Sequence, residues 1–239
     1  MVEPKKLPLE GCPKKGDPLL SYGVVPEKRK VAMPYNRRFS SNPVLDFLTG
    51  SVVNQIIVAN VIIYVIQVIL VRSSFIDIFG LTPHVVLSRG YVWQLVTYMF
   101  LHGSPWHLLL NMFIIWMFGT PLEGVWGSNR FLNYYVVCGL GGALLSFLFS
   151  FNTTVIGASG AGYGILLAYA ILFPYSEIYV WGLFPVRART LVIFMVVIEL
   201  VSGITGRDGV AHFAHLGGMG AGFIYLKSDR WMRRLFRRR

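Results

Sequence analysis

Val155-Ile156-Gly157-Ala158-Ser159-Gly160-Ala161-Gly162-Tyr163-Gly164 opens a run that reaches Phe173 without a charged residue. A serine in such a run ordinarily hides its hydroxyl by bonding back to its own helix. Here glycines flank Ser159 on both sides. A second glycine group surrounds a histidine far downstream, in Ala214-His215-Leu216-Gly217-Gly218. The pattern suggests a nucleophile and a base submerged in a membrane.

Composition agrees. The chain has 239 residues, 54 % hydrophobic and 14 % charged, with a mean hydropathy of +0.57. A soluble domain of this size carries about 25 % charged residues. Long apolar runs with short polar breaks mean an integral membrane protein. The start, Met1-Val2-Glu3-Pro4-Lys5-Lys6, leads into polar sequence, so no signal peptide is expected. Cys12 lies in the polar head and Cys138 in an apolar run, which argues against a disulfide between them.

Residues 1–43 hold seven of the twelve prolines and nine of the twenty-two basic residues. They read as an irregular, Pro/Lys-rich cytosolic extension that cannot build its own core. A membrane domain is expected over 44–226 and a basic cytosolic tail over 227–239. Within the domain, six apolar segments are expected: Val52 to Val71, about Trp106 to Thr120, about Arg130 to Ser150, about Ser159 to Phe173, about Arg189 to Thr205, and about Val210 to Leu226. Between the first two, Arg72 to Pro105 is rich in aromatic rings but broken by Gly80, Pro83 and Gly90. It reads as a partly embedded interfacial element. The fold class is therefore an all-α polytopic membrane protein.

With six spans, nineteen Lys and Arg fall on the side of the termini and three, Arg72, Arg89 and Arg207, on the other. Positive charge marks the cytoplasmic side, so both termini are expected there. The fourth segment is short for a core of about 30 Å, and its inner end is fixed by Pro174. Ser159 should then lie below the outer surface. Irregular backbone at that depth requires a protein-lined or wet cavity.

The chemistry-bearing residues follow. His215 would supply the base for Ser159. Gly160 and Gly164 on the fourth span and Gly218 and Gly222 on the sixth form small-residue faces that allow close helix approach. An oxyanion needs fixed donors. Ser159 at a helix start offers its own N–H, and His107 and Asn111 share one face of the second span. A structural reading also exists for each: glycine faces are common in membrane helices, and a His/Asn pair can simply join two helices. Glu199 is an intramembrane acid without a nameable partner, placed between a buried hydrogen bond and a wet-cavity role. His102 and His212 read as capping residues.

These residues resemble the rhomboid family of intramembrane serine proteases. The matching pieces are His107-x-x-x-Asn111, Glu123-x-x-x-Gly127 with Phe131 and Tyr134, Gly157-Ala158-Ser159-Gly160 with Tyr163, and Ala214-His215-Leu216-Gly217-Gly218-x-x-x-Gly222. The resemblance covers about Leu45 to Leu226. It implies a six-transmembrane-helix rhomboid-like bundle, with an embedded loop between helices 1 and 2. It further implies a Ser159–His215 dyad acting through an acyl-enzyme. His107, Asn111 and the Ser159 N–H would form the oxyanion site, and the Tyr163 ring would pack on His215. Gly157, Gly160, Gly218 and Gly222 would support it. One departure stands out: Trp93 is followed by Gln94, where family members often carry an arginine thought to hold the loop.

The resemblance implies single-pass transmembrane proteins as substrates, in a lipid bilayer, with no cofactor, no metal and no nucleic acid. A prokaryotic inner membrane is the expected location. Two other readings are a non-catalytic rhomboid-fold binder of membrane proteins, and a metal site or transporter built from His102, His107, His212 and His215.

Overall fold

The computed structural model describes residues 50–70, 72–180, 182–205 and 211–237. The proline-rich extension with Cys12, and Arg207, lie outside the described residues. Helices occupy all six apolar segments, and four are long and apolar enough to cross a membrane by length and composition: Val52–Ile69, Pro105–Trp126, Ser128–Phe149 and Ala188–Thr205. Ser159–Leu172 is a shorter apolar helix. The chain is a polytopic helical membrane protein.

Helix α1 (Val52–Ile69) shows how one span divides its faces. Ile62, Val65, Val68 and Ile69 are exposed, which suits lipid, whereas Asn60 and Gln67 are fully buried. Buried amides need partners. Asn60 Nδ2 donates to the Ile56 carbonyl. Gln67 forms a reciprocal pair with the backbone of His102: its Nε2 donates to His102 O at 2.8 Å, and His102 N–H donates to Gln67 Oε1 at 3.1 Å. The N-terminus of α1 is held by a carboxylate from elsewhere. Glu123 accepts from the Val52 and Val53 N–H groups and from the hydroxyls of Ser51 and Ser128. A negative group there satisfies donors that a helix start leaves open.

The stretch after α1 is the expected interrupted element. It forms α2 (Arg72–Phe79), α3 (Pro83–Arg89), α4 (Gln94–Thr97) and a 3-10 turn at Tyr98–Phe100. Pro83 starts α3, and Gly90 ends it with φ 72°, a left-handed conformation that glycine adopts freely. Gln94 resolves the missing arginine. Its side chain is fully buried, accepts from Thr82 N–H at 3.1 Å, and lies 3.2 Å from the carbonyls of Asp77 and Ile78 as a donor. Trp93 Nε1 also donates to Ile78 O. A neutral amide therefore fastens α4 to the end of α2.

Helix α5 (Pro105–Ile114) is capped by the Ser104 hydroxyl, which accepts from His107 N–H. It passes through a wide turn at Ile115–Gly119 into α6 (Thr120–Trp126). This span was expected to stop at Thr120. It continues because Pro121 sits in the first turn after the wide turn, where its missing N–H is tolerated. Gly127, at φ 80°, separates α6 from α7 (Ser128–Phe149).

Helix α8 (Ser159–Leu172) starts at the expected serine and stops one residue early. Between α8 and α9 (Ala188–Thr205), an antiparallel hairpin pairs β1 (Glu177–Val180) with β2 (Phe184–Arg187). It was not expected. Its trace in the sequence is a short β-prone run followed by Gly182, which has φ 72°. Helix α10 runs from His212 to Arg237, past the expected end of the span at Leu226. The core lies where α7, α8 and α10 meet.

Candidate active site

The loop before α8 is pinned to the embedded element. Leu81 and Val155 exchange two backbone hydrogen bonds of 3.0 and 2.8 Å, and Gly157 N–H donates to Tyr98 O at 2.9 Å. Gly157 has φ +118°, where a side chain would be strained, and a Cβ there would lie 2.9 Å from the His107 ring. The glycine is therefore required by both conformation and space. It lets α8 begin at Ser159, half-buried, with its first N–H groups unpaired within the helix.

Three helices then approach at backbone distance. A side chain on Gly218 would collide with the Gly160 carbonyl, and one on Gly217 with the Gly141 carbonyl. At Gly164 a Cβ would strike the Cys138 side chain and lie 3.1 Å from Gly218 O. The expected α8–α10 face is thus present at Gly160, Gly164 and Gly218. Gly222 differs: its neighbours are Tyr134 Oη and Cys138 of α7, because α7 wedges between the two helices there. Tyr134 O–H donates to Gly164 O, and Tyr98 O–H donates to Gly139 O, each at 2.7 Å. The α7 glycines were missed by sequence reading. Gly139-Leu140-Gly141-Gly142 is a visible signal.

This seam brings His215 Nε2 to 2.8 Å from Ser159 Oγ. The Tyr163 ring stacks on the His215 ring, with centroids 4.3 Å apart and planes 6° from parallel. His107 approaches from α5. Its Nδ1 accepts from Gly103 N–H at 3.2 Å, which leaves the proton of a neutral ring on Nε2. That Nε2 faces the same space beside Gly157 that Ser159 Oγ borders. Asn111 is buried, and its Nδ2 donates to His107 O at 2.8 Å. One N–H is used on its own helix, and a second is left over.

Glu199 has partners that the sequence did not reveal. Its Oε1 accepts from Tyr163 O–H. Its Oε2 lies 2.6 Å from His212 Nδ1 and 3.1 Å from His215 Nδ1. The contact to His215 is close, but its N–H direction misses the oxygen. His212 therefore joins this acid rather than capping a helix. The signal that could have found the group is helical spacing, since His212 and His215 are three apart on α10.

Among the described residues, Glu199, His212 and His215 are the donor set compact enough to hold a metal. Their closest atoms are 2.6 Å apart. Two ligands of one tetrahedral zinc, at about 2.0–2.1 Å each, would sit about 3.3 Å apart. The spacing fits a hydrogen-bonded cluster. The other two histidines pair elsewhere, with the His102 ring edge-on to His107 at 5.1 Å. The four histidines do not form one donor set.

Comparison with known proteins places these residues in a family. A Rhomboid domain model matches residues 89–230. RHOMBOID-like protein 4 of Arabidopsis thaliana is 33 % identical over 146 residues, 61 % of this chain and 36 % of that protein. Rhomboid protease GluP of Bacillus subtilis is 32 % identical over 146 residues, 61 % of this chain and 28 % of that protein. Rhomboid-like protease 5 of Toxoplasma gondii is 34 % identical over 162 residues, 63 % of this chain and 18 % of that protein. The matched region thus spans about a third or less of these relatives. The family model covers more than half of the chain and takes in His107, Ser159 and His215, so the chain belongs to the rhomboid family.

Proposed function

We propose that this chain is an intramembrane serine endopeptidase that cuts single-pass membrane proteins within or near their transmembrane segments. The observation that carries the proposal is the 2.8 Å contact between His215 Nε2 and Ser159 Oγ at the start of an apolar helix. A serine hydroxyl needs an adjacent base to become a nucleophile. Relatives named as proteases support the class of reaction.

In the proposed reaction, Ser159 Oγ attacks the scissile carbonyl carbon as His215 Nε2 takes its proton. The carbonyl oxygen becomes an oxyanion. It is met by the Ser159 N–H, by His107 Nε2–H and by the remaining N–H of Asn111. When the tetrahedral species collapses, the C–N bond breaks and the amine leaves with the proton from His215. Water then attacks the ester, again giving its proton to His215, and Ser159 is restored. Fixed donors of this kind are worth about 10²–10³ in kcat each. Gly157, Gly160, Gly218 and Gly222 hold spacing rather than react, and Tyr163 keeps the His215 ring flat.

The orientation that goes with this reading has both termini in the cytoplasm and Ser159 near the opposite face. The relatives include bacterial, plant and mitochondrial proteins. The test is labelling by a fluorophosphonate, which reacts with an activated serine. Wild type should label, and Ser159→Ala and His215→Ala should not. An unlabelled, folded wild type would instead favour a non-catalytic binder of membrane proteins.

A further inference from the structure

Glu199 is a buried acid in a helix whose other faces are apolar, at 4 % exposure. An acid at such a site is costly unless its oxygens are satisfied. Three neighbours surround it, from two other helices: Tyr163 of α8, and His212 and His215 of α10. One protonation state serves all of them. An ionised carboxylate only accepts, so it takes Tyr163 O–H and His212 Nδ1–H and tolerates His215 Nδ1–H beside it, off-line at 3.1 Å. A proton on His215 Nδ1 leaves Nε2 bare. Bare Nε2 is what Ser159 O–H needs at 2.8 Å.

We propose that Glu199 is the third member of the assembly, a positioning residue that sets the His215 tautomer and balances the charge that forms on it. The proposal rests on the serine–histidine reading above. Glu199 does not touch substrate. When His215 Nε2 takes the Ser159 proton, the ring becomes a cation and its Nδ1–H faces the Glu199 anion 3.1 Å away. No proton passes to Glu199. The off-line resting contact straightens as the ring becomes charged, since catalytic hydrogen bonds are often poorly aligned before substrate binds. Glu199 meets His215 twice, by this 3.1 Å contact and through Tyr163, whose ring lies flat on the imidazole. His212 Nδ1 takes the same oxygen at 2.6 Å and keeps the carboxylate from rotating away.

Other polar and titratable groups face His215: His107 from α5, Ser159 and Tyr163 from α8, and His212 from α10 itself. Glu199 is the acid among these described groups. Its removal should therefore act with a definite sign. Without the anion, the cation that forms on His215 is left uncompensated and the ring loses the acceptor beside its Nδ1, so turnover should fall.

The experiment uses the full chain in proteoliposomes, with a cleavable single-pass substrate and a fluorophosphonate probe. Glu199→Gln should lower kcat about 100-fold with KM within twofold. Glu199→Asp should recover part of kcat. Glu199→Gln with wild-type kcat overturns the proposal, while labelling of wild type leaves the serine mechanism standing. If wild type neither labels nor cleaves, the serine mechanism falls and this proposal with it. Folding of the variant need not decide the matter. In wild type, ¹⁵N solid-state spectra of the histidines should show His215 protonated on Nδ1 and bare on Nε2. The opposite tautomer overturns the proposal.

Discussion

At the scale of single residues, the site depends on what is absent as much as on what is present. Gly157 has no side chain, and its φ of +118° excludes one. Gly157→Ala should therefore press on the His107 ring and lower kcat by tenfold or more, at the level of one disturbed oxyanion donor. Labelling of Ser159 should persist, because the added methyl would press on the His107 ring at 2.9 Å but meet Ser159 Oγ at an ordinary contact distance of 3.7 Å. Loss of both together would mean that the whole loop had moved. Ser159 and His215 were legible in the sequence because glycines announced them. Glu199 was legible as an anomaly but not as a partner, because Tyr163, His212 and His215 are remote or differently phased along the chain. A helix can be read for its faces, but not for which neighbour each face meets.

At the scale of elements, caps and glycine contacts set the geometry. Glu123 joins the start of α1 to the α6–α7 corner through four acceptor contacts. Glu123→Ala leaves several donors open and should cost about 1–3 kcal/mol. A fall in melting temperature in detergent, with kcat per folded molecule kept, is the expected result. Gly218→Val is the harsher change, since its side chain would occupy the position of the Gly160 carbonyl. It should abolish activity and lower thermal stability, by separating α8 from α10. The starts of α5 and α8 were readable to within a residue, at Trp106 and Ser159, whereas Pro83 was read only as a break and in fact opens α3. The extension through α6 was not, because a proline ordinarily closes a span and a wide turn reverses that rule. The hairpin escaped because four-residue strands leave little periodic signal.

At the scale of the whole molecule, the site is assembled from four helices: His107 and Asn111 come from α5, Ser159 and Tyr163 from α8, Glu199 from α9, and His212 and His215 from α10. The embedded element contributes no reacting group. It holds the loop before Ser159 through Leu81, Val155, Tyr98 and Gly157. Gln94 should therefore affect stability before chemistry. Gln94→Ala removes three buried contacts and should loosen the element, seen as faster proteolysis near residues 80–95 in proteoliposomes. Gln94→Glu puts a charge beside two carbonyls and should be worse. The element could be expected from its aromatic, interrupted sequence. Its fastening could not, because a glutamine replaces a guanidinium with different donors but similar reach.

The meeting of α7, α8 and α10 is a contact of carbonyl against α-carbon, at Gly141, Gly160, Gly217 and Gly218. Such a joint has no rotamers to repack. Its gap is fixed by atomic radii, like a hinge pin with no bushing. Lipids of different thickness can tilt or bend the outer helices, yet the gauge between serine and imidazole is set at this joint.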